Sequence, residues 1–87
     1  MIRITKNEVL IYLQLVQDEN PLHQQFVPGQ LVAEIAKLRL GISWMNYKIK
    51  YLESIEINEV IQFEMVESDH VVVSNSVKRV KIHIFKI

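Results

Sequence analysis

VAEIAKLRLGISWMNYKIKYLESIEI, Val32 to Ile57, is the stretch whose reading decides the fold. Val32, Ile35, Ala36 and Leu38 recur at helical spacing in its first half. Met45, Ile49 and Leu52 follow at intervals of four and three, which keeps apolar groups on one helical face. Between them lies Leu40-Gly41-Ile42-Ser43. Glycine takes a positive φ cheaply and ends a helix, and serine accepts an orphan amide at the start of the next. The expectation is helix, tight turn, helix, with helix two over about Gly29–Arg39 and helix three over about Ser43–Ser54.

Outward from this unit, Thr5-Lys6-Asn7-Glu8 has the form of a capping box, so a first helix is expected from about Lys6 to Asp18. Its expected core face is Val9, Leu10, Leu13 and Val16, with Tyr12 beside it, and Asn20-Pro21 should stop it. Gln25-Phe26-Val27 has the makings of one short strand, and Pro28 suits a helix start. Beyond Glu59 the period changes to two. Ile61, Phe63 and Met65 alternate with Gln62 and Glu64, as in a half-buried strand. Val71-Val72-Val73 is a short strand between two turn signals, Glu67–His70 and Ser74–Ser76. From Val77 to Ile87, Val80, Ile82 and Ile84 share one face, and Arg79, Lys81, His83 and Phe85 the other.

Eighty-seven residues, 49% of them hydrophobic, with only two Gly and two Pro, fit one folded domain over 1–87 rather than a disordered chain. The absence of Cys excludes disulfides and thiolate metal sites. No basic-then-apolar leader and no membrane-length apolar run is present, so a cytoplasmic protein without membrane contact is expected. The net charge of zero hides segregation: −2 over 1–35, +4 over 36–52, −6 over 53–70 and +4 over 71–87.

Helix, short strand, helix, turn, helix, strand, turn, strand is an order similar to the winged helix-turn-helix DNA-binding family. The residues that carry the likeness are Ile35-Ala36, Leu40-Gly41-Ile42-Ser43, Ile49 and Leu52, with a hairpin following. The resemblance implies an α+β fold: a three-helix bundle with a helix-turn-helix, followed by a β-hairpin or small antiparallel sheet. It also implies a double-stranded DNA-binding protein, a small transcriptional regulator or an accessory protein of a plasmid or phage. Helix three would be the recognition helix. With Met45 as zero and about 100° per residue, Tyr47, Lys50, Tyr51 and Ser54 fall opposite the inner face, with Asn46 beside them and Lys48 near the boundary. Ser43, Asn46, Tyr47, Lys48 and Lys50 are thus the candidates on helix three. Gln30 is the candidate at the start of helix two, and Asn75, Lys78, Arg79 and Lys81 are those from the sheet. Two features depart from the family: helix three has no arginine, and neither wing candidate is basic.

Each residue also has a plainer reading. Trp44 and Tyr51 are better explained by packing, Tyr47 equally well by either, and Lys48 and Lys50 serve also as ordinary solvated lysines. The acids from Glu53 to Asp69 read as a solvated face. His23, His70 and His83 lack ligand spacing, no nucleophile has an assigned base, and there is no glycine-rich phosphate loop. Neither an enzyme nor a cofactor is expected. The competing function is a winged-helix interaction or oligomerisation domain without DNA binding, as a homodimer through the terminal strand Ile84–Ile87.

Overall fold

The computed structural model describes residues 1–17 and 25–87. Among them are two helices and five strands: β1 (Ile2–Arg3), α1 (Lys6–Val16), α2 (Gly29–Leu40), β2 (Tyr47–Tyr51), β3 (Val60–Glu67), β4 (His70–Asn75) and β5 (Val80–Lys86). The strands form one antiparallel sheet in the order β1-β3-β4-β5-β2. This is an α+β fold, but it is not the three-helix bundle that the helix-turn-helix reading requires.

The missing third helix is the main correction. Residues 47–51 read Tyr-Lys-Ile-Lys-Tyr, a period of two in aromatic and β-branched residues, and they pair with β5 from Tyr47↔Lys86 to Tyr51↔Ile82. The expected inner face does not exist: Met45 is 91% exposed and Leu52 49%. Five ladder positions along β5, with Ile49 opposite Ile84, outweigh an i, i+4, i+7 pattern that rests on three side chains. Ser43 therefore caps nothing. The first half of the stretch behaves as expected. Gly41 sits at φ 67°, and the amides of Gly41 and Ile42 both return to the Lys37 carbonyl.

Helix α1 has the expected capping box. The Glu8 amide donates to Thr5 Oγ1 at 3.2 Å and the Thr5 amide to Glu8 Oε1 at 3.4 Å. The helix closes at Gln17, in the left-handed region, before the expected Asp18. Asp18, the Asn20-Pro21 stop and His23 lie outside the described residues. Only Val9 of its expected core face is fully buried; Leu13 and Tyr12 are half-buried, and Leu10 and Val16 are exposed. Phe26 makes a single bridge to Glu56 rather than a strand.

The core fills the space between the helices and one face of the sheet. Val9, Val32, Ala33 and Ala36 meet Ile61, Val71, Val73, Ile82 and Ile84, with Ile4, Val27 and Ile55 closing the ends. Leu38, expected toward this core, is 82% exposed.

Two irregularities set which side chains share a face. Met65 pairs with Val71 but Glu67 with His70, so Val66 is the extra residue and Glu67 turns outward. Val73 pairs with Ile82 but Ser74 with Val80, so Lys81 is extra and Val80 leaves the face of Ile82 and Ile84. The second turn falls at 76–79, later than Ser74–Ser76, because Ser74 and Asn75 still pair within the sheet. The terminal strand is not a free edge: β5 lies between β4 and β2. No described helix is long and apolar enough to cross a membrane.

Candidate interaction surface

The ten residues expected to meet DNA do not converge. Tyr47 and Lys50, expected side by side, project from opposite faces of β2, because their separation is odd. Tyr47 turns toward α2. Its hydroxyl accepts from Gln30 Nε2 and donates to Glu34 Oε1 at 3.1 Å, and Lys37 Nζ lies 5.1 Å from its ring centre. Burial, and then the Glu34 carboxylate, push the Tyr47 phenol up to about 12. Gln30 and Tyr47 are therefore a helix–strand joint.

Asn75 is a turn organiser. Its Oδ1 accepts the amides of Val77 and Arg79 at 3.1 and 3.0 Å, and its Nδ2 donates to Glu59 at 3.2 Å. Lys78 holds the following positive φ, at 64°. Arg79 pairs with Glu53. Lys81 Nζ reaches Glu59 at 3.3 Å, Glu53 at 3.8 Å and the Ser54 carbonyl at 3.2 Å. Burial is the largest influence on Glu59 and raises its pKa. The Glu56 amide, the Asn75 amide and Lys81 together outweigh it and hold the carboxyl below its ordinary value. Glu53 and Glu59 are thus partners of the basic segment rather than members of a separate solvated acidic face. Ser43 and Asn46 are exposed in the irregular stretch before β2.

Lys48 and Lys50 remain. Both are exposed, and neither has an acidic partner among the described residues. They stand on the sheet face turned away from the helices, and that face is the candidate surface. On its strands the residues turned the other way include Ile61, Val71, Val73, Ile82 and Ile84, each no more than 2% exposed. The alternating set on β4 and β5, His70, Val72, Val80, His83 and Phe85, is only half-buried. Beside it lies a recess of about 470 Å³ lined by Gln62, Glu64, Val72, Ser74, Lys78 and Val80.

Three rings fill the centre. His70 stacks on Phe85 with centroids 4.3 Å apart, and His70 Nε2 lies 2.7 Å from His83 Nδ1. At that distance one nitrogen donates and the other accepts, so the contact requires at least one neutral ring. Burial, then His70, then Lys50, lower the His83 pKa.

The register aligns this face into rows. Glu64, Val72, His83 and Lys50 are successive cross-strand partners from β3 to β2. Glu67, His70, Phe85 and Lys48 form the next row. Each row starts with a carboxylate, ends with an ammonium and has no acid or lysine between them. A centre of aromatic and apolar side chains within a charged rim is how protein–protein contact patches are built. The alternation along β5 had already placed His83 and Phe85 on one face. Which residues stood beside them depended on cross-strand register, and no local pattern carries that. Among the described residues no group of three His, Asp or Glu could hold a metal ion. Comparison with protein-family models and with curated proteins finds no match for this chain.

Proposed function

We propose that this chain is a protein-interaction module, a binding protein rather than an enzyme, that works through the open face of its sheet. One observation carries this reading. Among the described residues the five-stranded sheet has helices on one side only, and its other side presents Val72, Val80 and Phe85 where solvent-facing polar residues are the norm. The charge arrangement supports it, since Lys37, Arg79 and Lys81 are already paired with acids of the same chain. A photo-activatable residue at position 72 tests the reading, with the same residue at Leu38, on the opposite side of α2, as control. Protein adducts at 72 that disappear with Phe85→Asp are expected. Equal adducts at both positions, or none at 72, would refute it.

A second reading, nucleic-acid binding in a cytoplasmic setting, is favoured by Lys48 and Lys50, which lie beside the Phe85–His70 stack with no acid attached among the described residues. Without a third helix it has no recognition helix, so any contact would fall on the sheet. It predicts affinity that falls steeply with salt, by a slope set by two or so phosphates, and that weakens with Lys50→Ala. A fluorescence titration with duplex and with single-stranded oligonucleotides at low and moderate salt decides it.

A further inference from the structure

We propose that the occupant of the open face is a second copy of this chain, packed face to face about a two-fold axis that runs parallel to the strands along the β4–β5 seam. This rests on the interaction reading above and gives it a partner.

The argument is the row pattern. Both rows run from carboxylate to ammonium across the four long strands: Glu64 to Lys50 and Glu67 to Lys48. Rotation by 180° about an axis along the strands exchanges left and right and keeps height. It lays each row over the same row of the other copy, in reverse. Lys50 then faces the other copy's Glu64 and Lys48 its Glu67, twice each by symmetry. Val72 meets His83, and His70 meets Phe85, so the aromatic and apolar centre meets itself. The other in-plane axis, across the strands, would put lysines over lysines and carboxylates over carboxylates. The charge order therefore chooses between two otherwise equivalent face-to-face packings. Stacked sheets lie about 10 Å apart, within the joint reach of a lysine and a glutamate. Their mutual twist of about 30° leaves the central rows the best aligned.

The size of the patch sets the strength. Four strands at a spacing of about 4.8 Å, and some six residues long, give a flat face of about 400 Å². A standard interface covers about 800 Å² per partner. The dimer should therefore be reversible and concentration-dependent.

Sedimentation of the purified full chain from micromolar to millimolar concentration should show a monomer–dimer equilibrium. Lys50→Glu and Glu64→Lys should each weaken it about tenfold, since each replaces two attractions by two repulsions. The double exchange, Lys50→Glu with Glu64→Lys, should restore it. The chain has no Cys, so cysteine cross-linking is clean. Facing backbones about 10 Å apart are too far for a disulfide, so a short bis-maleimide is the probe. Lys50→Cys with Glu64→Cys should then give a covalent dimer linked 50 to 64, and Lys50→Cys alone should not. A monomer at millimolar concentration, efficient trapping by Lys50→Cys alone, or no recovery in the double exchange would each overturn the proposal. Adducts at position 72 with other proteins from a chain that sediments as a monomer would overturn the second copy and keep the interaction reading. A monomer with no adduct would overturn both. Far-UV circular dichroism confirms that the variants fold, and all the altered sites lie outside the core.

Discussion

Replacing Lys81 by methionine should destabilise this protein, although the residue reads in the sequence as a surface cation. Its Nζ lies 3.3 Å from Glu59, 3.8 Å from Glu53 and 3.2 Å from the Ser54 carbonyl. The Lys81 and Glu59 side chains are 12% and 16% exposed. Breaking a fully buried pair costs about 3–5 kcal/mol, and breaking an exposed one about 0–1 kcal/mol. A pair sheltered to this degree falls between, at about 2 kcal/mol. In a domain of this length that is a fall in Tm of roughly 8–16 °C. Glu59 keeps the Glu56 and Asn75 donors, which holds the loss below the fully buried limit. Thermal and urea unfolding of Lys81→Met, Glu59→Gln and the double variant form a cycle. The double variant should cost about 1 kcal/mol less than the sum of the singles, because its remaining partner is no longer an unmatched charge. A Tm change under about 2 °C in Lys81→Met, or strict additivity, would refute the reasoning. If Lys81 instead served to contact DNA, the variant would keep its stability and lose only binding.

Three further outcomes follow from local chemistry. Thr5→Ala should cost about 1 kcal/mol in urea unfolding, since it removes the acceptor for the Glu8 amide at the start of α1. Absorbance titration should show one of the three tyrosines ionising at about 12, and Tyr47→Phe should abolish that step. A raised phenol stabilises the fold below the ordinary tyrosine value, so this contribution is lost as pH rises from about 10 toward 12. The lowered His83 pKa works the other way: the unfolded chain binds the proton more readily, so stability should fall as pH drops through and below 6.5. Urea midpoints at pH 7.5 and 5.5 should differ less in His83→Gln. Glu59 adds a second loss as pH falls below 4.5.

Much of this fold is legible one segment at a time. The Thr5–Glu8 box, the helix that ends at Gly41 and the alternating strands after Glu59 all depend on residues within a few positions of one another. Local capping and periodicity decide such features whatever the rest of the chain does. Residues 43–54 were not legible in this way. Their apolar residues satisfy a helical period through Met45, Ile49 and Leu52, and a strand period through Tyr47, Ile49 and Tyr51. Sequence leaves the two nearly balanced, and the β5 edge, more than thirty residues away, breaks the tie.

The candidate surface follows the same division. The sequence by itself determined that Lys48 and Lys50 share a side of any strand they form, and that His83 and Phe85 do so too. It also held the opposite charges of the segments that became β2 and β3. Only tertiary structure decided that those segments lie on opposite flanks of one sheet, and that two extra residues, Val66 and Lys81, bring Glu67 and Val80 onto its open face. The physical reason is that cross-strand register is fixed by contacts between residues distant in the chain. A shift of one position sends a side chain to the other face, and no local pattern records that shift.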